Sequence, residues 1–233
     1  MFYKVVRAIL KPLSYLLFWP ILKGRENLPT TGPAILAANH LGAGETFLLV
    51  VLVPQPITFP AKQELFRRDS FFRRLFAWVL RMMRQVPMDR SGGDASVGAL
   101  GSVYEVLEKH GYVAILPEGH RSPDGRLYKG RTGVARLALA AGVPVIPVGC
   151  FRTRFVRKWL PWPWLYRPEL RIGLPFSFPE EMRQRFLTAP DYDAAHAVLR
   201  EATDQVMVHI QAITGQEIVD QYSYQPKAVR GGH

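Results

Sequence analysis

The chain holds one cysteine, Cys150, among 233 residues. A lone thiol excludes an internal disulfide framework and a thiolate metal cluster, and it fits a reducing compartment. The histidines at 40, 110, 120, 196, 209 and 233 show no ligand spacing with cysteine or carboxylate partners, so no metal site is expected. No apolar run reaches the ~20 residues that a bilayer span requires. There is no G-x-S-x-G elbow, which excludes that route to a serine nucleophile. Helix-turn-helix, RNP, zinc-finger and KH signatures are all missing, so a basic surface would have no module with which to read nucleic acid. Internal repeats and low-complexity linkers are absent as well, and a chain of this length can bury one core without staples.

Basic residues are plentiful. The formal net charge is +11. Between 62 and 90, Lys62, Arg67, Arg68, Arg73, Arg74, Arg81, Arg84 and Arg90 are opposed only by Glu64, Asp69 and Asp89. Such a surface calls for an anionic partner, and the amino terminus points to lipid. In MFYKVVRAILKPLSYLLFWPILKG, Lys4, Arg7 and Lys11 interleave with apolar residues, followed by an apolar run from Pro12 to Leu22 broken by Ser14. No small-residue cleavage site follows Trp19-Pro20, so a secretory signal is rejected. An aromatic-rich helix flanked by cations is expected to lie flat in a membrane interface. The chain therefore divides into a membrane-interface segment at 1–23, a domain at 24–222 and a flexible tail at 223–233.

Within the domain, strands and helices alternate. Ala34–Ala38 reads as a buried strand, Glu45–Val53 as a helix, Ile57–Pro60 as a strand, and Phe71–Arg84 as a helix with Phe72, Leu75, Phe76, Val79 and Met83 at helical spacing. Gln85–Met88 is the next strand. Gly93–His110 follows as a helix stopped by Gly111, Tyr112–Leu116 as a strand, and Gly133–Ala141 as a helix ending at Gly142. Val143–Gly149 is predicted as a strand whose prolines, Pro144 and Pro147, suggest an edge or a bulge. Leu170–Phe178 completes the strands and Tyr192–Thr214 is a closing helix. This order implies an α/β fold: a single domain with a mainly parallel mixed sheet covered by helices, preceded by a short interfacial helix.

Sites in such folds gather at the carboxyl ends of strands. His40 falls just past the first strand, Asp89 and Arg90 just past Gln85–Met88, and Glu118 just past Tyr112–Leu116. His40 and Glu45, in Asn-His-Leu-Gly-Ala-Gly-Glu, lie five apart, which is not a helical-face spacing; the two glycines predict a turn between them. The stretch LPEGHRSPDGRLYKGRTGVARL at 116–137 combines turn formers with Arg121, Arg126, Lys129 and Arg131. Close backbone N–H groups and guanidinium forks suit a phosphate.

Four segments in series resemble the 1-acylglycerol-3-phosphate acyltransferases and the wider glycerolipid acyltransferase family, in particular bacterial, actinobacterial-like members. They are His40…Glu45, Val86-Pro87-Met88-Asp89-Arg90, Glu118-Gly119-His120-Arg121-Ser122 and Val143-Pro144-Val145-Ile146-Pro147. Glu45 stands where that family has aspartate, and His120 where it has a small hydroxyl residue. The resemblance implies direct acyl transfer from a thioester, acyl-CoA or acyl carrier protein, to the free hydroxyl of lysophosphatidate, giving phosphatidate with no cofactor. His40 would take the hydroxyl proton, a task suited to the side chain that titrates between about pH 5 and 8. Glu45 would accept the other ring N–H, as the carboxylate does in a Ser-His-Asp triad. Glu118, Gly119 and Arg121 would form the glycerol-phosphate pocket, with Arg90 and Lys62 completing its cationic wall, and residues 143–148 would line the thioester or acyl chain. The partners expected are a lysophospholipid, the acyl donor and an anionic membrane surface, with no nucleic acid. The location implied is the cytoplasmic face of the cell membrane, peripheral or monotopic. Two alternatives stay open: a different lysophospholipid or glycolipid acceptor, and a lipid-binding protein with impaired chemistry.

Overall fold

The computed structural model describes residues 2–42, 44–67, 69–88, 94–153 and 167–223. In chain order its elements are α1 (Phe2–Phe18), β1 (Ile21–Lys23), β2 (Ala34–Ala38), α2 (Gly44–Leu52), β3 (Ile57–Lys62), α3 (Phe71–Met82), β4 (Gln85–Met88), α4 (Asp94–Glu108), β5 (Tyr112–Ile115), β6 (Leu127–Tyr128), α5 (Gly133–Ala141), β7 (Val145–Phe151), β8 (Glu169–Ile172), α6 (Glu180–Leu187), α7 (Tyr192–Thr214) and β9 (Ile218–Val219). Seven strands form one sheet in the order β1-β8-β7-β2-β5-β3-β4, and β6 pairs with β9 in a small separate ribbon. Within the large sheet only β7 and β8 run antiparallel. A mainly parallel mixed sheet is therefore the architecture, as expected.

β2 sits at the middle of this sheet, and all five of its residues are buried. Ala34, Leu36 and Ala38 pack with Leu48, Leu49 and Val51 of α2, whereas Ile35 and Ala37 face Leu107, Val134, Leu137 and Val206 from α4, α5 and α7. A strand covered on both faces needs apolar residues at every position, which is why its sequence is a continuous run without alternation.

Two expectations are corrected. The prolines of 143–149 do not mark an edge, because β7 is internal, paired with β2 on one side and β8 on the other; the other alternative, a bulge, fits, since two residues between Val145 and Val148 face three between Ile172 and Phe176. The Val145 N–H bonds to Phe176 O, and Pro147, which has no N–H to give, still holds its place in the pairing through its carbonyl, which accepts from the Gly173 N–H at 2.8 Å. At the end of α4 the left-handed residue is His110, with φ 56°, and not Gly111. Glycine is required at 111 for another reason, because a Cβ would meet Val106 Cγ1 at 2.6 Å.

The boundary drawn at residue 23 falls inside the sheet, since β1 pairs in parallel with β8. α1 is likewise built into the domain. The Tyr3 hydroxyl donates to Val50 O at 3.4 Å and accepts from the Ile57 N–H at 3.3 Å, while Arg7 donates to Val51 O and Pro54 O. These are carbonyls at and beyond the carboxyl end of α2, where a helix leaves acceptors unpaired and its dipole favours a cation. Arg7 thus serves α2 rather than the lipid expected beside it. None of the helices in the described residues is long and apolar enough to cross a membrane.

Candidate active site

β2 ends at Ala38, and the Asn39 side chain continues its pairing. The Cys150 N–H donates to Asn39 Oδ1 at 2.7 Å, and Asn39 Nδ2 donates to Cys150 O at 3.2 Å. A carboxamide can imitate a backbone rung in this way because it carries a donor and an acceptor side by side. The next residue, His40, is thereby fixed just beyond the strand end. Its backbone is held on both sides: the N–H donates to Glu118 Oε1 at 2.7 Å, and the carbonyl accepts from the Ser122 N–H at 2.8 Å.

The chain then turns into α2, as the glycines predict, and Glu45 lies in the first helical turn. Glu45 Oε1 accepts from the N–H groups of Leu41 and Gly42, both at 2.7 Å, and from the Thr153 hydroxyl. A carboxylate at this end of the helix is also favoured by the dipole. Its second oxygen, Oε2, faces His40 Nδ1 at 3.6 Å. Both atoms are buried, and neither has a hydrogen-bond partner among the described residues. At 3.6 Å the contact is longer than a hydrogen bond, but catalytic contacts are often long without substrate and tighten when it binds. Two complementary orphan atoms aimed at each other are the main electrostatic feature of the site.

Glu118 is completely buried. Oε1 accepts from His40 and Oε2 accepts from the Tyr128 N–H at 3.0 Å. The expectation placed Glu118 in the glycerol-phosphate pocket, yet both its oxygens bind backbone, so it ties the 116–131 loop to the histidine. Burial, the largest cause, pushes its carboxyl up to about 7, against the pull of those two N–H groups. A carboxyl raised on folding keeps its proton in the native chain at pH values where the unfolded chain has released it. Its contribution to stability is therefore fully present below the ordinary value of 4.5 and is lost as pH rises through about 7. Glu118→Gln is expected to flatten the fall in Tm across that window, and to lower Tm at pH 5 because its NH2 cannot accept from a backbone N–H. Thermal unfolding at stepped pH checks this; an unchanged slope would assign the pH dependence to another group.

Gly119 adopts φ +73°, and a Cβ there would meet Arg131 Cδ at 2.9 Å, so the position accepts little besides glycine. Of the loop's four cations, Arg126 pairs with Asp124 at 2.7 Å, Lys129 with Asp220 at 2.6 Å, and Arg131 lies over the Tyr222 ring at 5.1 Å. Arg121 is exposed and has no such partner among the described residues. Lys62 ends β3, though its side chain is outside the description. Asp89 and Arg90 lie outside the described residues, as does the tail from 224 onward.

Three residues of this constellation carry no signal in the sequence reading: Asn39, Thr153 and Gln216. Gln216 accepts from Asn39 Nδ2 at 2.9 Å and donates from Nε2 to Gly125 O. With β9 paired to β6, the carboxyl-terminal strap thus joins the strand end to the 116–131 loop. Only the position of Asn39 directly before the histidine could have drawn attention to it. Cys150 is buried beside them, and burial first, then the Glu45 charge, hold its thiol well above the usual range.

Residues 20–151 match the family described as Acyltransferase. Among curated proteins, a 1-acyl-sn-glycerol-3-phosphate acyltransferase of Pseudomonas aeruginosa is 30% identical over 128 residues, 54% of this chain and 47% of that protein. A chloroplastic 1-acyl-sn-glycerol-3-phosphate acyltransferase of Arabidopsis thaliana is 30% identical over 149 residues, 63% of this chain and 40% of its own length. The chain thus spans less than half the length of either relative. The crystal structure of the 1-acyl-sn-glycerophosphate acyltransferase from Thermotoga maritima superposes with a TM-score of 0.55 at 21% identity, covering 90% of this chain and 80% of that one, a likeness of fold.

Proposed function

The chain belongs to the Acyltransferase family, and from that premise we propose that it transfers an acyl group from a thioester, acyl-CoA or acyl carrier protein, to the free hydroxyl of a lysophosphatidate, forming phosphatidate for phospholipid synthesis. The observation that carries this reading is the facing pair His40 Nδ1 and Glu45 Oε2, 3.6 Å apart and without other partners among the described residues, at the carboxyl edge of the mainly parallel sheet.

In this mechanism Glu45 holds the proton of His40 on Nδ1, which leaves Nε2 as the base. The acceptor hydroxyl attacks the thioester carbonyl as Nε2 removes its proton. The C–O bond forms, the C–S bond breaks, and the thiolate leaves with the proton returned by the imidazolium. The amino end of α2 presents the positive end of its dipole to the charge that develops. Glu118 sets the backbone position of His40, and Arg121 binds the acceptor's phosphate. Lys62 and Arg90 remain part of the proposed cationic wall. The products with lysophosphatidate and either donor are to be identified by mass spectrometry alongside thiol release; lipid binding without thiol release would leave a lipid-binding protein instead.

Arg121→Ala is expected to raise the KM for the phosphate-bearing acceptor about tenfold or more, with the KM for the acyl donor little changed, since a charge-assisted contact is lost from one substrate only. Equal effects on both would place Arg121 with the donor or with the fold. The reading also locates the protein on the cytoplasmic face of the membrane, held peripherally by α1, whose Val5, Ile9, Leu13 and Leu16 are exposed.

A further inference from the structure

α3 is an amphipathic helix packed the wrong way round for a soluble protein. Wound at 3.6 residues per turn, Phe71, Phe72, Leu75, Phe76, Trp78 and Met82 share one side, and all six are exposed, Phe72 at 79%. The opposite side holds Ala77, the helix's one buried residue, between Arg73, Arg74 and Arg81. A surface helix normally turns its apolar stripe to the core and its charges to water; here the small residue meets the core and the aromatic stripe faces outward. Contiguous exposed apolar surface with a charged border marks an interaction site.

The occupant is identified by charge and by continuity. The border is cationic: Arg74, together with Arg67 and Arg84 at either end of the helix, is exposed, and the chain carries a net +11. Aromatic and aliphatic residues on one side with arginines on the other is the composition of a helix lying in a lipid interface. α3 is also joined to α1, for the Phe2 and Trp78 rings meet edge to face with centroids 5.3 Å apart, and α1 carries its own exposed apolar stripe. We infer that α3 is a second membrane-docking element, inserting its Phe71–Met82 face into an anionic lipid bilayer beside α1. Its amino end follows β3, which is parallel to β4, so Phe71 and Phe72 stand toward the carboxyl edge of the sheet, the edge that carries His40. A bilayer docked there would deliver a lipid acceptor to the site from the side. The inference rests on the membrane-surface reading but not on acyl transfer.

The test compares full-length wild type, Phe72→Ser/Phe76→Ser and Arg74→Glu by flotation with phosphatidylcholine vesicles and with vesicles containing phosphatidylglycerol. Both phenylalanines are exposed, so the double variant should keep the wild-type Tm. Wild type is expected to float with the anionic vesicles, the double variant to partition about tenfold less or weaker, and Arg74→Glu to lose the preference for anionic lipid. Undiminished flotation of the double variant overturns the inference. So does a wild-type dimer in vesicle-free buffer that the double variant converts to monomer, because the face would then be a contact between two copies. Turnover of a short-chain, water-soluble lysophosphatidate should be the same in wild type and double variant; absence of turnover in both would count against acyl transfer and leave the docking result standing.

Discussion

Replacing His40 with alanine is expected to lower turnover about 10²–10⁴-fold, the range typical for loss of a general base. The protein should still fold, because the contacts that fix this residue run through its backbone, from its N–H to Glu118 and from Ser122 to its carbonyl. Truncating the ring breaks none of them. Thermal unfolding of the variant should match wild type while thiol release collapses, a combination that separates chemistry from architecture. More than roughly a tenth of wild-type turnover, with the fold intact, would remove His40 from the mechanism.

Glu45→Gln should be nearly as damaging. The amide oxygen can replace Oε1 and keep the N–H groups of Leu41 and Gly42, but its NH2 then faces His40 Nδ1. Nδ1 must accept, the ring proton moves to Nε2, and the base is lost by the wrong tautomer. A fall in kcat of about 10²–10⁴-fold with a near-native Tm is the expected result. Glu45→Asp should fail differently. The side chain shortens by about 1.5 Å, which withdraws the oxygen from Leu41, Gly42 and Thr153 together, so both Tm and kcat should drop. Wild-type kcat in the glutamine variant would show that Glu45 shapes the turn without orienting the histidine.

The difference between these two variants shows how far the sequence could be read. From spacing alone, Glu45 is a carboxylate near a histidine, and aspartate would be a fair replacement. The structure adds three donors gathered on one of its oxygens, one of them from a residue more than a hundred positions away. Glu118 is a similar case. Its place after a strand and beside Gly119 and Arg121 suggests a pocket residue, whereas burial and two backbone donors make it a strut. Among the four cations of the same loop, side-chain partners set Arg121 apart from the other three within the described residues. Asp124, Asp220 and Tyr222 occupy three, and two of those partners come from the strap at the carboxyl terminus.

What the sequence by itself determined is local or periodic. The continuous apolar run of β2, the Ala-rich α5 with its glycine stop and the long α7 follow from burial pattern and backbone preference, and they lie where the residues predict. The order of strands and helices determined the class of sheet, and the ordered motifs pointed to the family. Tertiary structure alone decided that the proline-bearing strand is internal, that α1 is latched to α2 by Tyr3 and Arg7, that Asn39 and Gln216 brace the strand end, and that α3 turns its aromatic side outward. Each of these depends on a contact between residues far apart in the chain, or on which side of an element meets the core. Periodicity can show that a helix has two faces, but only the packing of the rest of the chain selects which face is buried.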